Sequence, residues 1–170
     1  MFSRSLLVAA VIALAGIALF ADPVAACDCA IIAPPGTPLL KNGDPIPSIL
    51  EIKRAGEIVF LGEALEVSPK ATGCHADDCR FFEGNVTRFR VSRYWNEPTG
   101  EQIVLETAFP SGACGFEFTP GMKYLVFATR SKTGTVSASI CSRTTLAATA
   151  PDLLEHVIRL AGEGQVPGKK

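Results

Sequence analysis

The chain is poor in the residues on which most site chemistry relies. It holds two histidines, two tyrosines, two methionines and one tryptophan in 170 residues. His75 falls in a polar loop and His156 on the outward side of a helical pattern, so both read as surface residues. There is no nucleophile–base signature, no pair of carboxylates in a motif context and no phosphate-cradling glycine loop, which argues against an enzyme. The net charge is only −1. A nucleic-acid partner calls for a strongly basic surface, so that class is excluded too. The longest apolar run, Leu6 to Phe20, is shorter than the ~20 residues of a membrane-spanning helix.

That run, with Arg4 before it and Val24-Ala25-Ala26 after it, reads as a signal peptide over residues 1–26. An uncleaved anchor is the bland alternative. A lipoprotein signal with a lipidated Cys27 is the sharper one, since Val24-Ala25-Ala26-Cys27 also fits a lipobox. Lipidation would leave five cysteines in an oxidising compartment, and Asp22-Pro23 sets the apolar run far from Cys27. Ordinary cleavage yields an exported, secreted or periplasmic protein. It has no stable membrane insertion, and the excised part removes one basic and one acidic residue.

All six cysteines (27, 29, 74, 79, 114 and 141) lie beyond the signal. An even count in a small exported domain reads as three disulfides, with fifteen pairings open from sequence alone. A thiolate zinc site is the alternative, but there are few histidines to complete it and export favours oxidation. No cofactor and no intrinsic metal are expected. Cys27-Asp28-Cys29 is the organising stretch. Cysteines one residue apart do not easily bond to each other, so each needs a distant partner. The mature N-terminus is thereby pinned twice.

Residues 30–47 read as an extended Pro/Gly connector, with Leu39 and Leu40 tucked inward. Ser48 caps a short helix to about Ala55, with Glu51 as capping-box partner. Glu57 to Val67 is a strand, apolar on both faces in its first half, with a bend at Gly62. Residues 69–80 read as a loop, with Cys74–Cys79 as the simplest local pair. His75, Asp77 and Asp78 there suit a polar tip better than a metal site.

A second strand follows in Phe81 to Trp95, where Arg88 and Arg90 alternate with Phe89 and Val91. Its arginine row is read as the solvated side, and Asn85-Val86-Thr87 is a glycosylation sequon. Strands over Gln102 to Thr107, Met122 to Thr129 and Thr135 to Cys141 bring the count to five. Pro151 and Asp152 open a C-terminal helix with Leu153, Leu154, Val157, Ile158 and Leu160 as its apolar stripe and Gly162 as its stop. Residues 163–170 read as a fraying tail. The pattern implies a mainly β domain over residues 27–162: a five-stranded OB-fold-like Greek-key barrel with a short N-terminal helix and a C-terminal helix. A β-sandwich is the alternative.

The order of several of these pieces resembles the netrin-like modules, and within them the inhibitory domain of the tissue inhibitors of metalloproteinases. The matching stretches are Cys27-x-Cys29, Ile58-Val59-Phe60-Leu61-Gly62, Tyr94-Trp95, Cys114-Gly115-Phe116, Gly121-x-x-Tyr124-Leu125-Val126-Phe127 and Cys141-Ser142. The resemblance implies Cys27–Cys114 and Cys29–Cys141 pairing, leaving Cys74–Cys79. It also implies a monomeric zinc metalloprotease inhibitor in which the Cys27 amine and carbonyl chelate the enzyme's zinc. Asp28 would enter the adjoining pocket and Ser111-Gly112-Ala113 would flank it. The family's usual small hydroxyl residue at the second position is replaced by Asp28, and no second inhibitor domain follows. These departures suit an alternative: a non-inhibitory extracytoplasmic module that binds another protein.

Overall fold

The computed structural model describes residues 29, 39–41, 47–54, 56–72, 81–97, 100–109 and 114–168. The expected signal peptide, most of the connector, the loop of Cys74 and Cys79, and Ser111 to Ala113 lie outside these residues.

Six strands are described: β1 (Glu57–Thr72), β2 (Phe81–Tyr94), β3 (Gln102–Ala108), β4 (Lys123–Arg130), β5 (Val136–Ser137) and β6 (Thr145–Leu146). The first five close into a barrel in the order β1-β2-β3-β5-β4, with β4 returning to β1 over Glu57–Glu63. All neighbours are antiparallel except β3 and β5, which meet in parallel at Glu106 and Ser137. β6 adds to the free end of β4. α1 (Ile49–Ile52) is a single turn before the barrel, and α2 (Pro151–Ala161) follows it.

Two apolar clusters explain why β1 and β4 are apolar on both faces. Ile58, Phe60, Phe89, Leu105, Phe118, Tyr124 and Val126 point inward and fill the barrel. Val59, Leu125 and Phe127 point outward and meet Ile52, Trp95, Leu153 and Val157, so α2 seals that wall. The expected bend is a register shift between Leu61 and Gly62. A Cβ at Gly62 would stand 2.9 Å from the Arg90 carbonyl oxygen, which leaves room only for glycine. The arginine row is solvated as expected. Arg88 and Arg90 lie opposite Glu66 and Glu63 on exposed faces and pair with them at 2.6 and 3.4 Å. Such exposed pairs contribute about 1 kcal/mol at most. Thr87 of the sequon is fully buried in β2, between β1 and β3.

Several expectations need correcting. β1 runs on through Pro69 to Thr72, which was read as loop. β4 accompanies β1 only to Glu63, so this stretch is a strand edge, where proline is tolerated. α1 stops at Ile52 rather than near Ala55. β5 is two residues long instead of seven, and β6 arises in a segment read as linker. Leu39 is exposed, while Leu40 packs against the outer cluster.

In α2, Leu160 is exposed and His156 is buried, the reverse of the reading from its apolar stripe. Helical periodicity sees one wall, the barrel. The helix has a second neighbour in the Pro47–Ile52 segment, and His156 faces it. The tail is also held as far as Gln165. Gln165 exchanges two backbone hydrogen bonds with Tyr94 and its side chain accepts from the Tyr94 hydroxyl. Trp95 Nε1 donates to the Gly162 carbonyl, and Arg93 pairs with Glu163. β3 begins only opposite Arg90, so the end of β2 has a vacant edge for the tail to pair with.

Candidate functional site

The candidate site is the rim of the barrel where the N-terminal segment is attached. Cys29 is bonded to Cys141 across 112 residues, with 5.1 Å between their Cα atoms. Cys141 sits in the connection from β5 to β6. Ser139 fixes that connection: its hydroxyl accepts from the Cys141 N–H, and its carbonyl accepts from both the N–H and the hydroxyl of Ser142.

The second rim element is the segment of Cys114, which is also disulfide-bonded. Its carbonyl accepts from the Ile140 N–H at 3.0 Å, and Gly115 forms a β-bridge with Ser139. The two cysteine-bearing loops therefore run side by side. A Cβ at Gly115 would lie 1.7 Å from the Ala108 carbonyl oxygen, so glycine there is what allows the loop to close onto β3. Cys114 and Arg143 carry the described chain's non-glycine positive φ angles, 57° and 58°. Both flank the disulfide rim, and conformations of this kind persist only where surroundings enforce them.

Polar contacts tie the rim to the barrel. The Phe127 N–H donates to Thr144 Oγ1 at 3.0 Å, and that hydroxyl donates back to the Phe127 carbonyl at 3.1 Å. Thr144 is buried, so Thr144→Val, equal in shape but without the hydroxyl, strands two backbone groups. It is expected to cost about 2 kcal/mol in urea denaturation, whereas Thr149→Val, at an exposed turn, should stay within ~0.5 kcal/mol.

Arg143, largely shielded, pairs with Glu51 at 3.1 Å and so joins the rim to α1. Burial pushes the Glu51 carboxyl upward. The Ser48 N–H and the Arg143 guanidinium outweigh it, and the group ends below the usual range. Glu57, on the same side, is raised by burial, which Arg54 only partly offsets. Glu51, Glu57, Arg54, Arg143 and Ser139, with Phe127 and Ala138, line a cavity of about 370 Å³ beside Cys141.

Chemically, this rim holds the Cys29 segment in place by a covalent bond. Among the described residues no three metal-ligating side chains converge. Of the residues expected at the site, Cys29, Cys114 and Cys141 come together. Cys27, Asp28, Ser111, Gly112 and Ala113 lie outside the described residues, although the last three lead directly into Cys114. Cys74, Cys79 and His75 also lie outside them. Sequence reasoning missed Arg143, Ser139 and Thr144. Glu51 was seen only as a capping-box member, because its second partner is 92 residues away.

Among the described residues no helix is long and apolar enough to cross a membrane. No protein-family model matches the chain, and no curated protein matches it.

Proposed function

We propose that this chain is an exported netrin-like protein that inhibits a zinc metalloprotease with its mature N-terminus. One observation carries the reading: the loops of Cys114 and Cys141 lie side by side, and Cys141 already holds Cys29. Two residues of extended chain span ~7 Å, so Cys27 is within reach of Cys114. Cys27–Cys114 is the second clamp, and Cys74–Cys79 remains a local pair. The closed five-stranded barrel with its single parallel contact supports the reading of an OB-fold, the family's architecture. The disulfides accord with export, and signal cleavage before Cys27 leaves a free α-amine.

The inhibitory step follows from that amine. Its pKa near 7.7–8 leaves a large neutral fraction at physiological pH. The neutral amine and the Cys27 carbonyl oxygen fill the open position of a catalytic zinc and displace its water. The two crosslinks fix both donors beforehand, so little conformational freedom is lost on binding. Asp28 enters the adjoining pocket, flanked by Ser111, Gly112 and Ala113.

Adding one residue before Cys27, or acetylating its amine, should weaken inhibition on the order of 100-fold, about 3 kcal/mol. Inhibition by the native terminus should also fall as pH drops from 8 to 6, because the protonated amine has no lone pair. Unchanged inhibition by the extended protein would refute the mechanism.

Asp28 itself favours a second reading. A carboxylate buried without a partner costs several kcal/mol, and a non-inhibitory protein-binding module avoids that burial. A panel of zinc endopeptidases separates the two. The first reading requires at least one to be inhibited, with Asp28→Ser strengthening the effect. The second requires none to be inhibited.

A further inference from the structure

His156 is one of two histidines and belongs to no part of the rim. It is 8% exposed, on the side of α2 that faces the Pro47–Ile52 segment. The Arg159 guanidinium, one turn on, bonds to its Nδ1. A guanidinium only donates, so Nδ1 must be the accepting nitrogen and the ring proton must sit on Nε2. Nε2 is itself buried, turned to the Pro47 backbone without a well-formed hydrogen bond. The site thus accepts one form of the ring, the neutral Nε2–H tautomer. A second proton on Nδ1 would remove the acceptor, turn donor against donor and set a cation on the buried ring beside the exposed Arg159 guanidinium.

Among the described residues only the Pro47 backbone, whose carbonyl favours the protonated ring, offsets this in part. On α2, Asp152 accepts from the Lys41 backbone N–H, Glu155 is exposed, and Arg159 is itself cationic. On the facing segment, Pro47 and Ser48 are uncharged, and Glu51 is engaged by Ser48 and Arg143. Lys53 and Arg54 point to solvent. The barrel wall under α2 is Val59, Leu125 and Phe127.

We propose that His156 is an acid-sensitive latch. Protonation at Nδ1 breaks its bond with Arg159 and releases α2 from the Pro47–Ile52 segment and the outer wall of the barrel. Burial, and then Arg159, hold its pKa below the ordinary 6.5 against a smaller upward pull from the Pro47 backbone. The released helix therefore binds the proton more tightly than the docked one. Docking is at full strength above about pH 6.5 and weakens as pH falls below it. This device does not depend on the inhibitory reading, since it uses neither Cys27 nor the rim.

The protein carries its own reporter. Trp95, the single tryptophan, is buried against α2 and donates to the Gly162 carbonyl at the helix end. The test is a titration of the disulfide-intact protein from pH 7.5 to 5 in a His75→Gln background, following Trp95 emission and the thermal midpoint. The expected result is a red shift together with a drop in midpoint on the order of 5 °C, centred below pH 6.5. His156→Gln should flatten both curves. Arg159→Glu, which puts a carboxylate where protonated Nδ1 can donate, should reverse the slope so that mild acid stabilises docking. This second variant keeps the test decisive if His156→Gln fails to fold. The proposal is overturned if the acid response survives in His156→Gln, if Arg159→Glu leaves its sign unchanged, or if the ring titrates at or above 6.5 with Trp95 emission unaltered.

Discussion

The double substitution Cys29→Ser, Cys141→Ser is expected to lower the unfolding free energy by about 4–5 kcal/mol. The bridge closes a loop with a sequence separation of 112. In the chain-entropy description a loop of that size is worth roughly 4.7 kcal/mol, nearly all of it through the unfolded state. A loss of this size shifts the thermal midpoint by about 10–20 °C in a domain of this length. Guanidinium denaturation of both forms, unreduced, measures it. The denaturant slope should rise as well, because an unfolded chain freed of that crosslink exposes more surface. A loss under ~1 kcal/mol would mean that the N-terminal segment is only loosely held and has no rigid terminus to offer.

Phe89→Ala is the second large effect, expected at about 4 kcal/mol. Phe89 is fully buried at the centre of the barrel. Phe60, Phe118 and Tyr124 surround it edge to face, with centroids 5.3, 4.9 and 6.3 Å away. Truncating a buried phenylalanine typically costs 3–5 kcal/mol, and each ring pair adds roughly 0.5–1.5 kcal/mol beyond area burial. Three walls of the cavity belong to three different chain segments, so it cannot collapse cheaply. Phe89→Leu, which keeps most of the volume, should lose about half as much. Equal losses in urea denaturation would show that retained volume contributes nothing and that the ring contacts carry the whole effect.

The two effects differ in origin, and so does their visibility in the sequence. Phe89 is readable because a strand with period two and one wet face has only one place for its apolar side. The same holds for Tyr124 to Phe127, whose two-sided apolarity announces both the barrel interior and the covering helix. Gly62 and Gly162 mark a bend and a stop, the first because a Cβ has no room there and the second because its φ is 83°. What local pattern could not supply was partnership at a distance. β5 looked seven residues long because its composition suits a strand, yet β4 pairs with only two of its residues. His156 looked exposed because its helix was judged against one wall, while the Pro47 segment forms a second. The tail looked free because nothing in Glu163 to Gln165 reveals that β2 ends with a vacant edge.

The same division runs through the candidate site. The pairing of Cys29 with Cys141 was implied by resemblance, not by spacing, since fifteen pairings were open. Its supports were invisible beforehand. Glu51 and Arg143 form an ion pair that no periodicity joins, and Thr144 is an ordinary threonine until the Phe127 backbone is beside it. The adjacency of the Cys114 and Cys141 loops has the same character. It depends on Gly115 meeting Ser139 across the barrel mouth, a contact made only once β3 and β5 are in place.

The central claim is that the mature chain begins at Cys27 with a free amine, clamped to the rim by two neighbouring disulfides. A non-reducing peptide map of the exported protein, read by mass spectrometry with N-terminal sequencing, tests it most directly. The account predicts a first residue of Cys27, unmodified, in fragments that link 27 to 114 and 29 to 141. A different first residue, an acyl chain on Cys27, or Cys114 joined to Cys74 or Cys79 would contradict it.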